Sequence, residues 1–579
     1  MVRAAALQFA SGTDVEENLA TCLRVIDRAA RDGAGIMVLP EFCNHISWYD
    51  DAAHARAVSL ELGGPFLREI AARAARHQSY IVINVSLRAS EDTLTVTSLC
   101  FDPQGHLCGR ADKQTLMGHE NTWFARATVH GDVVDAPFGR FAMFPCRDGV
   151  TCETPRALTL RGAQLFCDSL NSFALDEASL HVPARAPENR VFLVAANKVG
   201  PLIPQHLLQA VSEQTHIPVR FLNGAGESQI VDPWGNVLAR AQRDSEEVIV
   251  ADLDLALSDD KRMPDGTDLM AARRPALYRE IAEVPQPPES AQAASELDVA
   301  CLAPLATGES ALEEISSLLD ALPEATALAV LPELFCYDHH KTLSLADQCA
   351  LGDRAIASMT KSLQGRPCLS LCASLVRPLA ADGVEGAAVT AVLIGREGVI
   401  AEQPRLHFAG AAPEMNLAAG LQLVDMPWGR LAILSGHDLL FPEVVKVAAI
   451  RGAQVLAVCC AFQQDWERRF ALLSRAAENR LCVVASAATS SQNAAAPSQS
   501  SGAILDLERD FTLMTPWLER SFDGFINAPL VTQQIAGEPV TVARIHPQAS
   551  NNKLMSEQTD LILDRPWRLS ADLLQEPES

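Results

Sequence analysis

Two tandem α/β domains are predicted for this chain of 579 residues. Two observations carry the prediction. A set of motifs returns at a nearly fixed distance along the chain, and within each copy short apolar runs alternate with helical patterns. Leu39-Pro40-Glu41-Phe42 is matched by Leu331-Pro332-Glu333-Leu334. Val134-Asp135-Ala136-Pro137-Phe138-Gly139-Arg140 returns 290 residues later as Val424-Asp425-Met426-Pro427-Trp428-Gly429-Arg430. Arg161-Gly162-Ala163-Gln164 and Arg185-Ala186-Pro187-Glu188-Asn189-Arg190 return at the same offset of 290, as Arg451-Gly452-Ala453-Gln454 and Arg475-Ala476-Ala477-Glu478-Asn479-Arg480. One register held over this length is a duplication.

The elements follow in order. Residues 4–9 and 36–39 are short apolar runs that read as strands. Between them, residues 15–31 place Leu19, Cys22, Leu23, Val25, Ile26 and Ala29 largely at helical spacing. The same β-α-β order returns with a helix over 66–75 and a strand over 80–87. It returns again with a strand over 141–145 before a helix over 155–161. Alternating strands and helices predict layered α/β packing. Val284-Pro285-Gln286-Pro287-Pro288-Glu289-Ser290-Ala291 is Pro-rich and poor in apolar anchors, which places a linker at 285–295 between domains 1–284 and 296–579.

Composition narrows the function. With 48% hydrophobic and 21% charged residues the chain is globular, and a net charge of −25 disfavours nucleic acid and anionic membranes as partners. The fifteen cysteines lie in apolar runs such as Cys459-Cys460 and read as reduced thiols, consistent with a cytoplasmic setting. The N-terminal apolar run is too short for a signal h-region and no run of 18 apolar residues predicts a membrane span. The fourteen histidines show no metal-ligand spacing. Neither a Gly-x-Ser-x-Gly elbow nor a P-loop is present.

Chemistry concentrates at strand ends. Cys146 closes an apolar strand in Phe144-Pro145-Cys146-Arg147-Asp148, with a helix expected a few residues later; a cysteine there can project into a pocket, where its thiolate is the nucleophile. Glu41 ends a strand at Leu-Pro-Glu, a setting that desolvates one side of the carboxylate and suits it to proton transfer. Lys113 can supply positive charge to an oxyanion.

These residues resemble the nitrilase superfamily of carbon–nitrogen hydrolases, which use a Glu-Lys-Cys triad, and the resemblance spans almost the whole of both halves. It implies two tandem α-β-β-α sandwich domains and assigns Glu41, Lys113 and Cys146 as catalytic. Cys146, Asp148, Glu153, Arg156, Leu158, Gly162 and Ala163 fit the family's cysteine motif, with Cys152 where proline is usual. It further implies Glu120 as the glutamate that orients the lysine, the backbone N–H of Arg147 in the oxyanion hole, and Asn197 in a segment that supports the pocket. Glu188 and Glu478 read as ion-paired structural groups present in both copies.

The second half keeps Glu333, but Arg405 stands at the lysine position, Gly436 at the nucleophile and Ala487 at Asn197, so it is expected to be catalytically dead. The implied reaction is hydrolysis of a small linear amide or N-carbamoyl compound through a thioester, without metal or organic cofactor. Nitrile hydrolases of the family typically carry Trp-Glu after the cysteine, where this chain has Arg147-Asp148. A nitrile hydrolase with the same triad and a non-catalytic binding or scaffold protein are the alternatives. The second half is expected to dock on the first as an intrachain pseudo-dimer partner, with further homo-oligomerisation left open.

Overall fold

A computed structural model describes residues 1–288, 292–306, 308–338, 342–380, 385–412, 414–488 and 502–576, so residues 289–291 of the expected linker lie outside the described residues. In the first half, one six-stranded sheet runs in the order Glu247–Leu253, Val2–Gln8, Ile36–Val38, Tyr80–Arg88, Leu94–Phe101, Leu107–Asp112. A second runs Val237–Arg240, Gln229–Val231, Phe192–Ala196, Leu165–Ser169, Gly139–Pro145, Val133–Ala136. The central strands of each sheet pair in parallel and are buried on both faces, which is why they read as continuous apolar runs.

Side-chain alternation decides the layers. Val2, Ala4 and Ala6 point between the sheets, against Phe141, Met143, Leu165 and Phe192. Ala5 and Leu7 point the other way, onto the helices Val15–Arg31 and Pro65–His77 through Val25, Ile26, Leu67 and Ile70. The first of these helices starts where Asp14 accepts hydrogen bonds from Glu16 N and Glu17 N, at 2.8 and 3.0 Å. The second starts at Pro65, where the missing N–H is harmless. Glu153–Leu160 and Val182–Asn189 cover the outer face of the second sheet through Leu158, Val182 and Ala186. The result is an α-β-β-α sandwich.

The second half repeats the plan with two further six-stranded sheets, whose facing side chains include Val299, Cys301, Ile433 and Val455. Here Ser310–Asp320 and Leu345–Ser362 form the outer helical layer.

The halves meet helix layer to helix layer. Ala157 and Ala184 share one apolar core with Val444, Val445, Leu472 and Ala476 of the helices Pro442–Ile450 and Leu472–Asn479. Across this seam the buried charges pair reciprocally. Arg475 lies 3.0 Å from Glu188 and Arg185 lies 3.1 Å from Glu478, while each arginine also pairs with the glutamate three residues on. Arg156 to Glu443 and Lys446 to Glu153 are one contact and its mirror, both at 3.3 Å and both built from positions 290 apart. Each of these contacts across the seam is thus matched by one between the equivalent positions of the other half.

Each half also reaches over the other. Lys261 Nζ donates to Asn189 O and Arg190 O, and Lys553 Nζ donates to Asn479 O and Arg480 O. Beyond these lysines the segments cross. Gly410 N donates to Thr267 Oγ1 at 2.8 Å, and Gly118 N donates to Thr559 Oγ1 at 3.1 Å. Among the described residues no helix is long and apolar enough to cross a membrane.

The ion cross gives a direct test. Glu478→Ala strands the charge of Arg185 and Arg475 in the core and is expected to cost about 3–5 kcal/mol in urea unfolding. Replacing Arg475 and Glu478 together by leucine is expected to cost less than that single change.

Candidate functional site

Three strand ends converge on one cavity. Glu41 follows the strand Ile36–Val38 and is fixed by its own N–H, which donates to Leu170 O at 3.0 Å. The chain turns at once, because Phe42 adopts φ 54° and its N–H donates to Asn84 Oδ1. Lys113 follows the strand Leu107–Asp112, its N–H donating to Val96 O.

Cys146 ends the strand Gly139–Pro145 at φ 45° and ψ −101°, an unfavourable conformation for a residue with a Cβ and one found at functional turns. Its N–H donates to Asp168 Oδ1 at 3.0 Å. A short helical turn, Arg147–Val150, follows Cys146 at once, and the helix expected a few residues later is Glu153–Leu160. Asp148 in that turn accepts from Gln114 N and Thr115 N, both at 2.8 Å, and so binds the lysine strand end to the cysteine turn.

Lys113 Nζ sits between two carboxylates, 2.8 Å from Glu41 and 2.9 Å from Glu120. All three are at most 4% exposed. Glu120 also accepts from Met117 N and heads the short helix Glu120–Trp123. Burial pushes the Glu41 carboxyl up to about 7, with Lys113 pulling the other way and Glu120 reinforcing the rise. For Lys113, burial opposes the charge, but Glu120 and Glu41 outweigh it and hold the ammonium well above its usual range. Burial, and then Glu41, raise the Cys146 thiol well above the ordinary thiol value, with Lys113 opposing. Burial thus disfavours the thiolate of Cys146 and the carboxylate of Glu41 alike.

The cavity holding these groups has a volume of about 410 Å³. Trp48, Tyr49, Ile203 and Val211 line it as well. Arg147 lines it too, buried at 3% exposure, and its Nε and Nη1 make no hydrogen bond; burial lowers its guanidinium from the usual value. Asn197 does not line the cavity. It is a staple: its Oδ1 accepts from Ser172 N and Lys198 N, and its Nδ2 donates to Ser172 O and Gly226 O.

Sequence reasoning passed over several members. Glu177 lines the cavity with its carboxyl pushed up to about 7 by burial. His119 and His181 face it, His119 Nε2 lying 2.7 Å from Ser47 O and His181 3.4 Å from Asp176. Leu513, Met514, Ile526, Met555, Ser556 and Glu557 reach it from the second half. Among the described residues no group of three or more His, Cys, Asp or Glu is arranged to hold a metal ion.

A family model for carbon-nitrogen hydrolases matches residues 3–263. A nitrilase from Pyrococcus abyssi is 26% identical over 263 residues, covering 45% of this chain and 93% of that protein. Residues 3–263 thus belong with the nitrilase superfamily of carbon–nitrogen hydrolases. A deaminated glutathione amidase from Yersinia enterocolitica is 26% identical over 252 residues, covering 41% of this chain and 81% of that protein. Among solved structures, the amidase from Nesterenkonia sp. AN1 is 21% identical, covers 45% of this chain and 97% of its own, and gives a TM-score of 0.37.

In the corresponding region of the second half, Glu333 is engaged by its neighbours. Arg405 Nη2 donates to Glu333 at 2.6 Å, and Ser435 Oγ donates to the other oxygen of Glu333 at 3.0 Å. Ala412 stands as far after Arg405 as Glu120 stands after Lys113, and among the described residues Arg405 pairs with one carboxylate where Lys113 pairs with two. A Cβ built on Gly436 would lie 2.8 Å from Cys460 Cα and 3.0 Å from Cys459 O. Gly436→Cys is therefore expected to lower the unfolding midpoint and to add no second reactive thiol, as thiol titration of a Cys146→Ala background would read.

Proposed function

We propose that the chain hydrolyses a small linear amide or N-carbamoyl compound, with Cys146 as nucleophile, Glu41 as proton carrier and Lys113 as oxyanion donor. The observation that carries this reading is the buried Lys113 ammonium held by Glu41 and Glu120 inside the cavity that Cys146 lines. Residues 1–284 form the catalytic domain in this reading. Residues 296–579 form the degenerate partner, docked as an intrachain pseudo-dimer and joined through 285–295. Metal and organic cofactors have no part in it.

Cys146 Sγ bonds to the carbonyl carbon while its proton passes to Glu41. The carbonyl oxygen takes up the displaced electron pair and is met by Lys113 Nζ and the N–H of Arg147. As the C–N bond breaks, the departing nitrogen takes the proton from Glu41 and leaves as ammonia or an amine. Water then bonds to the thioester carbon and gives a proton to Glu41. The C–S bond breaks and the sulfur recovers that proton. The unpaired donors of Arg147 suit an acceptor elsewhere on the substrate.

A nitrile hydrolase with the same triad is the second reading, favoured by the nitrilase of Pyrococcus abyssi among the relatives. Ammonia release from matched amides, N-carbamoyl compounds and nitriles decides between them. Release is expected from the first two classes and to fall at least about 10³-fold in Cys146→Ala, on the scale of losing a group that acts within a catalytic unit. Release that persists in Cys146→Ala overturns the reading, and release from none of the compounds favours a binding protein. Arg147→Met is expected to raise KM more than it lowers kcat.

The pH dependence follows from Glu41. The carboxylate must be ionised to accept the thiol proton, and burial holds its pKa at about 7. The kcat/KM profile is therefore expected to rise through about pH 7 and to stay level until well into the alkaline range, because Lys113 is held above its usual value. A profile flat from pH 5 to 8 contradicts the assignment of Glu41. Residues 1–285 expressed alone are expected to be insoluble or inactive; a soluble, fully active monomer refutes the pseudo-dimer.

A further inference from the structure

We propose that the degenerate half selects the substrate of the other half, by forming an apolar wall of the Cys146 cavity that favours amides and N-carbamoyl compounds with an uncharged alkyl or aryl body. The inference rests on the reading of Cys146 as the hydrolytic nucleophile. Leu513, Met514, Ile526 and Met555, all from beyond residue 500, line the same cavity as Cys146, Glu41 and Lys113.

The wall is built in, not merely adjacent. Phe511, Trp517 and Phe522 share one apolar cluster with Ile203, Val211 and Phe221 of the first half. Phe522 lies 5.4 Å from Phe221 and 6.0 Å from Phe173, ring centre to ring centre. Backbone bonds close the seam: Leu175 N donates to Gly524 O at 2.8 Å, and Trp517 N donates to Thr215 O at 3.2 Å. Asp176 accepts from Ile526 N and Asn527 N.

The two crossing segments have diverged. Two residues past the matching lysines, Met263 is packed in the core between the halves, whereas Met555 faces the open cavity. Flexible, unbranched methionines accommodate apolar groups of several shapes, which suits a wall that discriminates by length and bulk. The second half also fixes the loop that carries Glu120. Ser556 Oγ and Thr559 Oγ1 accept from Gly118 N at 3.0 and 3.1 Å, and Thr559 Oγ1 donates to Leu116 O.

Two variants in the full chain move the wall in opposite senses. Met514→Trp fills the cavity and Met555→Ala enlarges it. Acetamide, butanamide, hexanamide and phenylacetamide are the substrates, and the readout is the ratio of kcat/KM for hexanamide to that for acetamide. One methylene in an apolar pocket shifts such ratios by about 10–200-fold. The ratio is expected to fall at least about tenfold in Met514→Trp, and the preferred chain to lengthen in Met555→Ala. Leu518→Ala, on the same segment but 78% exposed, is expected to leave the ratio at the wild-type value. Opposite shifts cannot come from general destabilisation.

Alkylation of Cys146 by iodoacetamide and by N-hexyl iodoacetamide, read by mass spectrometry, probes the wall without turnover. If amides are not hydrolysed but the alkylation ratio still moves between the variants, the hydrolytic reading fails and the wall stands. If turnover occurs and neither ratio moves, the wall is overturned.

Discussion

A lysine ammonium with 1% exposure cannot stand in this fold without compensation, and the way Lys113 is compensated organises the rest of the molecule. Two carboxylates share one cation, and burial, reinforced by Glu120, pushes the Glu41 carboxyl up to about 7 against the pull of Lys113. The same arrangement that stabilises the charge places a carboxyl of raised pKa in the cavity that Cys146 lines. It depends in turn on Glu120 being held in place. The loop that carries Glu120 is hydrogen-bonded to Ser556 and Thr559, so the electrostatics of one half depend on a segment of the other.

The second half shows what happens when that demand is relaxed. With Ala412 in place of the second carboxylate, Arg405 and Glu333 form a closed pair, and Ser435 completes it. The strained turn has gone as well: Cys146 has positive φ, while Gly436, the residue that could hold that conformation most cheaply, is not among the glycines that do. The clamp outside the chemistry persists, Asp438 accepting from Leu406 N and His407 N much as Asp148 accepts from Gln114 N and Thr115 N. What decayed is the costly part, and what stayed is the scaffold.

The strand-end motifs were legible because they are local. Leu-Pro-Glu and the turn after Phe144-Pro145 each tie a reactive side chain to the end of an apolar strand, and the fold brings Glu41, Lys113, Glu120 and Cys146 to one cavity. The helix Val15–Arg31 was readable to the residue, because its cap Asp14 and its apolar stripe lie in one short stretch. Asn197 could be placed near the pocket but not as a staple, since its partners Ser172 and Gly226 are loop backbone groups with no sequence signature. Glu177 sits in a π-helical turn before Val182–Asn189, where periodicity gives no side-chain direction. The wall of Leu513, Met514, Ile526 and Met555 was illegible for a different reason. It exists only through docking across more than 300 residues of chain, and the one hint was a cluster of aromatics, Phe511, Trp517, Phe522 and Phe525, in a chain with 5% aromatic residues.

The reciprocal ion cross explains why a half with Gly436 in place of a cysteine can persist. Arg185, Glu188, Arg475 and Glu478 are all buried, and each glutamate faces arginines from both halves. Losing either half would strip the remaining Arg–Glu pair of its partners across the seam and expose the apolar layer around it. A duplicated chain whose second copy has Gly436 where the first has Cys146 is therefore bound by its own interface to keep the fold of both copies. The second copy carries buried positions that the seam holds in place, and others that face the first copy's cavity or solvent. The cavity-facing segment around Met514 and Met555 is where its divergence bears on the chemistry.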